Sequence, residues 1–290
     1  MTQLDTIQRF LIDNSPVRGE IVHLQASYQK VLENHNYPEA IQKQLGEMLT
    51  AIALLTATVK IEGVLSLQAR GNGNCSLLVA ESNSNGDLRG VARWEGDVSG
   101  AENLQQLMGD GQLIITIEPK DGKRYQGIVS LEGQTLAHCL EQYFEQSEQL
   151  PTRIWLATDS QNTAGFMLQA LPSDRTEADQ DAWDRSIMLA DTLSNEELLT
   201  LDNEALLHRL YHQEAVRLFD LKTLQFKCTC SVERVKNALI SVGKEGLNEA
   251  IAEHGKIESQ CQFCNSVYEF SAADIEQLFD DPQAPPPVVH

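Results

Sequence analysis

Residues 38–60 read PEAIQKQLGEMLTAIALLTATVK, and everything on either side must be arranged around what this stretch becomes. Proline is tolerated in a first helical turn, so Pro38 can open a helix. From Met48 to Val59 the side chains are apolar nearly all round, the pattern of a helix buried on every face. The run is too short to span a bilayer and carries Thr50, Thr56 and Thr58, so it reads as the central core helix of a water-facing domain.

Upstream, TIQRFLI (6–12) and RGEIVHLQ (18–25) have strand character and are separated by the turn residues Asn14-Ser15-Pro16. SYQKVLENHN (27–36) reads as a short helix that stops before Tyr37-Pro38, because proline disfavours the helical region for its predecessor. Downstream, GVLSLQAR (63–70), NCSLLVAES (74–82), DLRGVARWEG (87–96), GQLIITIEP (111–119) and RYQGIVSLEG (124–133) are short Val, Ile and Leu runs. Gly71-Asn-Gly-Asn, Asn85-Gly-Asp and Lys120-Asp-Gly-Lys between them supply hairpin chemistry. An amphipathic helix over 135–147 and strands over 152–159 and 164–171 complete residues 1–172 as an α+β core domain with a mainly antiparallel sheet.

Residues 173–222 read as an acidic helical linker. Ser194-Asn-Glu-Glu197 is a capping box, and Leu199, Leu206, Leu207, Leu210 and Tyr211 follow at helical spacing. Trp183 and Ile187, four apart, share one face of a preceding helix. These stripes are packing faces, but the segment lacks the apolar mass for a core of its own.

Residues 223–282 form a small module, and residues 283–290 a proline-rich tail expected to be disordered. The module contains a helix over 231–243 capped by Ser231, a second over 244–255 stopped by Gly255, two strands within 257–270 and a closing helix capped by Ser271. Four of the chain's 6 cysteines fall here, as Cys228-Thr-Cys230 and Cys261-Gln-Phe-Cys264. Each pair sits on a local turn that can present two sulfurs to one ion. Four soft ligands in tetrahedral reach point to one Zn²⁺ in a closed site. So small a module has little hydrophobic surplus, and a metal would supply what the core does not. Sulfurs held that close as thiolates also react with peroxide and hypochlorite. Oxidation to two disulfides would expel the metal, so the site can act as an oxidant-triggered latch.

The remaining signals are weaker. Gly71-Asn-Gly73 and Gly109-Asp-Gly111 lack the strand–loop–helix setting of a phosphate loop and read as hairpin turns. His138-Cys139 falls within an amphipathic helix, Cys75 reads as an inert buried thiol, and His208 and His212 are four apart without the carboxylate of a metalloprotease motif. There is no catalytic triad, paired-carboxylate motif or nucleotide loop, and the expectation is a binding protein, not an enzyme. The formal net charge of -20 argues against nucleic acid as a partner, because such binding draws on Lys and Arg. No signal peptide or membrane span is read, so the expected compartment is the cytoplasm, where clustered cysteines serve metals or redox sensing.

FKCTCSVERV, the thirty-residue gap and CQFCNSVYEFSAADI together resemble the zinc domain of the redox-regulated 33 kDa heat-shock chaperone family. LLTATVK, RGVARWEG, RYQGIVSLEG, YFEQSEQLPTRIWLA, EELLTL and HRLYHQEAVRLFD extend the resemblance over nearly the whole chain. The resemblance implies an ATP-independent holdase that is zinc-bound and inactive when reduced. It implies Cys228, Cys230, Cys261 and Cys264 as zinc ligands and redox sensors, with disulfides Cys228–Cys230 and Cys261–Cys264 on oxidation. Zinc release and unfolding of the C-terminal part would then give an active homodimer that holds unfolding client proteins. Two other readings stand beside it. A zinc-ribbon regulator or nucleic-acid binder would need a basic stripe. A thiol–disulfide oxidoreductase would need Cys261-x-x-Cys264 at a helix N-terminus in a βαβ setting.

Overall fold

The computed structural model describes residues 5–59, 62–131, 135–172 and 176–280, and the chain divides after Lys227 into two compact units. The expected tail lies outside the described residues.

In the first unit, β1 (Thr6–Ile12) and β2 (Val17–Leu24) form the expected hairpin around Asn14, whose φ of 59° is the left-handed turn conformation. α1 (Ala26–Glu33) leads to α2 (Glu39–Thr58), with Pro38 just outside as its N-cap. α2 is the core helix. Ile41, Leu45, Met48, Leu49, Ile52 and Leu54 are fully buried, because it packs against strands of two different sheets. Where the helix meets the first sheet the strand drops to glycine: a Cβ on Gly165 would lie 2.5 Å from Thr50 Cγ2.

The strand-rich middle follows as expected: β3 (Gly63–Gly71), β4 (Cys75–Asn83) and β5 (Asp87–Trp94), then after a short α3 (Leu104–Met108), β6 (Gly111–Pro119) and β7 (Tyr125–Ser130). All pair antiparallel among themselves. One turn differs from expectation. Gly71-Asn-Gly73 joins a hairpin, but Gly109, at φ 66°, closes α3. A five-residue helix has too little periodicity to announce itself in the sequence. α4 (Leu136–Tyr143) runs on into a π-turn over Phe144–Glu148, and β8 (Thr152–Thr158) and β9 (Thr163–Ala170) return to the first sheet.

The acidic segment folds onto that sheet. α5 (Glu177–Ala190), α6 (Asn195–Thr200) and α7 (Asn203–Tyr211) are helical as expected, and the Ser194–Glu197 box is formed, with the Glu197 amide donating to Ser194 Oγ at 3.2 Å. Their apolar stripes meet the sheet face. Leu198, Leu206, Leu207, Leu210 and Tyr211 are buried with Phe10, Ile12, Ile21, Phe166 and Leu168. Three short strands not read from the sequence follow: β10 (Val216–Leu218), β11 (Lys222–Thr223) and β12 (Gln225–Phe226). The first sheet has the order β10-β1-β2-β9-β8 with β11 also on β1, and the second β12-β5-β4-β3-β6-β7.

In the second unit, α8 (Val232–Val242) is capped by Ser231, and α9 (Lys244–His254) ends at Gly255 with φ 79°. β13 (Ile257–Gln260) and β14 (Val267–Phe270) form an antiparallel hairpin, and α10 (Ala272–Asp280) closes the unit. Its buried apolar cluster is Leu239, Leu247, Phe270 and Ile275, small beside the two clusters of the first unit.

Candidate metal centre

The four cysteines flagged by their spacing come together. Cys228 and Cys230 lie on the loop before α8. Cys261 and Cys264 lie on the turn of the β13–β14 hairpin. That turn is fixed by its own backbone: the Cys261 amide donates to the Ser266 carbonyl at 2.9 Å and the Asn265 amide to the Cys261 carbonyl at 2.8 Å, with Asn265 at φ 58°. The four sulfurs all lie within 4.8 Å of one another, and all four residues are partly buried free cysteines. Among the described residues this is the one group of three or more His, Cys, Asp or Glu placed to hold a metal ion.

Between the clusters, Cys228 Sγ lies 3.6 Å from Cys261 Sγ and Cys230 Sγ 3.4 Å from Cys264 Sγ. A tetrahedral thiolate site with bonds of about 2.3 Å places its sulfurs about 3.8 Å apart, so the arrangement fits such an ion closely. The donor set, four soft sulfurs with no carboxylate, favours zinc over hard cations.

The electrostatics separate the sulfurs. Burial raises Cys228 to about 12 and pushes Cys261 up as well. Burial pulls Cys264 up too, but hydrogen bonding with the Ser266 hydroxyl and amide and the neighbouring thiols brings it down to about 6. The Ser266 hydroxyl lies 3.2 Å from Cys264 Sγ, and the Tyr268 hydroxyl donates to Cys230 Sγ at 3.1 Å. Neither residue was singled out in the sequence. Spacing gave no signal for them: Cys264 and Ser266 lie in the turn before β14, and Asn265 between them, at φ 58°, breaks the alternation of a strand.

The other flagged residues stay apart. Cys75 and Cys139 are buried, and burial raises the Cys75 thiol to about 11, which suits an inert core residue. His138 is exposed with its Nε2 3.2 Å from Gln142 Nε2, while Cys139 beside it is buried. His208 on α7 and His212 just past its end are exposed, with ring centroids 6.1 Å apart. No helix among the described residues is long and apolar enough to cross a membrane.

A family model described as Hsp33 protein matches residues 5–271. A 33 kDa chaperonin of Shewanella loihica is 52% identical over 275 residues, which cover 95% of this chain and 96% of that one. A 33 kDa chaperonin of Ectopseudomonas mendocina is 52% identical over 280 residues, covering 95% of each. Among solved structures, that of the 33 kDa chaperonin (heat shock protein 33 homolog) of Thermotoga maritima has the same fold. Its TM-score is 0.83 at 24% identity, over 95% of this chain and 98% of the other.

Proposed function

Because the chain belongs to the Hsp33 family of chaperones, we propose that it is a redox-switched, ATP-independent holdase of the cytoplasm, whose latch is the four-cysteine centre. The observation that carries this reading is the gathering of Cys228, Cys230, Cys261 and Cys264 within 4.8 Å on a unit with very little core. In the reduced state these residues would hold one zinc ion, which when bound keeps the sulfurs as thiolates and contributes folding energy to the module.

Oxidation acts on the cysteines themselves. Two thiols of a pair give one disulfide, and their two electrons and two protons reduce a peroxide to water. We assign the disulfides as Cys228–Cys230 and Cys261–Cys264, each within one local turn. In a tetrahedral cluster all separations are alike, so the close cross-cluster approaches do not set the pairing. A disulfide sulfur is no longer a thiolate, so oxidation ends the four-ligand set, and the module loses its brace.

The division of labour then follows the proposed boundaries: a stable core domain over 1–172, a releasable linker over 173–222 and the switch module over 223–282. Only Lys227 separates β12 from Cys228, so an unfolded module loosens the chain that follows a linker held by side-chain packing and by the short strands β10 and β11. Release of the linker uncovers apolar surface on a strongly acidic body, which can hold unfolding proteins in solution as a homodimer.

Two observations count against the other readings. Cys261-x-x-Cys264 lies in a hairpin turn between antiparallel strands, not at a helix N-terminus, which disfavours a thiol–disulfide oxidoreductase. The module's helices carry Glu233, Glu245, Glu249 and Glu253 among their lysines, which disfavours a nucleic-acid groove.

The test is light scattering of a thermally unfolding client, with zinc release followed alongside. Reduced, zinc-loaded protein should leave aggregation unchanged, and the same preparation after peroxide at mild heat should suppress it as zinc leaves. Equal behaviour of the two samples would reduce the centre to a structural site and end the redox reading.

A further inference from the structure

The outer edge of β1 is filled by residues that come from the linker. β10 pairs antiparallel with it, Phe10 opposite Leu218, Leu11 opposite Arg217 and Ile12 opposite Val216. β11 continues the same edge, Thr6 opposite Thr223 and Ile7 opposite Lys222. Between them the Phe219 amide donates to the Arg9 carbonyl at 3.0 Å, and at the far end the Asp13 amide donates to the Ala215 carbonyl at 2.8 Å. Most of the outer edge of β1 is therefore closed by the chain's own residues 215–223.

The occupant is thin, three paired residues and then two. It follows a simple pattern. Val216 and Leu218 pack against the apolar cluster around Phe10 and Ile12, while Arg217 between them is exposed and reaches Asp13 at 2.8 Å. It belongs to the same stretch as α5, α6 and α7, which cover the adjoining face of the sheet. Release of the linker would thus uncover two things at once: a row of unpaired backbone donors and acceptors along β1, and beside it the apolar side chains of Phe10 and Ile12. An open strand edge of this kind takes up another extended chain.

We propose that the vacated edge of β1 is a strand-addition site for the client. This rests on the redox-holdase reading above. The client segment is an extended, unfolded stretch that runs antiparallel to β1 with apolar side chains at alternate positions, as Val216-Arg217-Leu218 does now. Main-chain pairing makes the site indifferent to most of the client's sequence. The alternate apolar positions select half-buried strands of folded proteins, which become available only when those proteins unfold.

A labelled peptide with the sequence EAVRLFD (residues 214–220) tests this on the full-length chain. It is titrated into zinc-loaded reduced protein and into protein oxidised with peroxide at mild heat. A second peptide is N-methylated at the amides corresponding to Arg217 and Phe219, which face β1. The oxidised protein should bind the first peptide and the reduced protein should not. The N-methylated peptide should bind roughly tenfold more weakly or less. In a complex with a denatured client, the Leu11 and Asp13 amides should be protected from hydrogen exchange. Suppression of aggregation with equal binding of both peptides, or with free exchange at Leu11 and Asp13, would overturn strand addition and leave the holdase reading standing. Protection already complete in the oxidised homodimer without client would assign the edge to a second copy's β10 and would overturn it too. Failure of the oxidised protein to suppress aggregation would remove the reading on which the proposal rests, and the proposal with it.

Discussion

Tyr268 and Ser266 touch the sulfurs without being cysteines, and their contribution can be measured. A hydroxyl donated to a thiolate stabilises the charge that a metal requires and fixes the sulfur's direction. Tyr268→Phe removes the donor to Cys230 and leaves the ring in place. The expected outcome is a zinc affinity lower by about tenfold or more, read by competition with a chromophoric chelator in reducing buffer. A second residue acts through its proton. Burial lifts the Glu47 carboxyl in α2 to about 7, against a smaller downward pull from Lys43. The unfolded chain releases that proton near its ordinary value of about 4.3, so the folded state binds it more tightly. The stability this provides is present below the unfolded value and is lost as pH rises through the folded one, costing roughly 3 kcal/mol above about pH 7. Glu47→Gln should therefore melt higher than the parent at alkaline pH and alike in acid, a comparison made by thermal melts across pH.

At the scale of elements, the linker is held by packing, by the pairing of β10 and β11 with β1, and by polar contacts that include one directed chain. Gln8 Nε2 donates to the Phe219 carbonyl at 2.9 Å, and Asn203 Nδ2 donates to Gln8 Oε1 at 2.7 Å. Asn203 Oδ1 then faces His23 Nε2 at 3.1 Å, so that nitrogen carries the proton. Asn203 opens α7, and His23 is buried in β2, so this chain ties linker to sheet. Asn203→Ala leaves the His23 N–H without that acceptor, at a cost of about 1–3 kcal/mol. The α7 amides should exchange correspondingly faster in the reduced protein, with the amides of α2 unchanged. The linker also shows what could be read in advance. Its helices were legible from the Ser194 capping box and the leucine spacing, because those signals are local. β10, β11 and β12 were not, since strands of two or three residues have no period, and they exist only because β1 and β5, far earlier in the chain, offer edges. The core strands were legible because each hairpin carries its own turn residues. The same distinction runs through the four-cysteine cluster. Each cysteine pair is local and visible, while the thiols' cross-cluster contacts and the Tyr268–Cys230 bond depend on how the hairpin folds back.

For the whole molecule, the sizes of the apolar clusters set the order in which parts come loose. The second unit buries Leu239, Leu247, Phe270 and Ile275, too little to offset the chain entropy of a unit that size. The linker helices share a much larger cluster with the sheet, from Phe10 and Phe166 through Leu206 to Tyr211. Removal of zinc from reduced protein by a chelator should therefore unfold residues 228–280 first and leave the linker docked at room temperature. Tryptophan positions make the two steps separable. All three tryptophans lie in the first unit: Trp94 packs against the core cluster, whereas Trp155 and Trp183 pack against the linker's cluster. Chelation at room temperature should expose the module to protease with little change in emission. Subsequent mild heating should shift the emission of Trp155 and Trp183 to the red, with Trp94, isolated in a Trp155→Phe, Trp183→Phe variant, unmoved. An immediate red shift on chelation would mean that the module itself holds the linker down and that the linker's own packing is insufficient. A net charge of -20 keeps the opened molecule dispersed during these measurements, because the copies repel one another while apolar surface is uncovered. The same repulsion makes association of the opened copies salt-dependent: added salt screens it, so light scattering of the heated, zinc-free protein should rise with ionic strength.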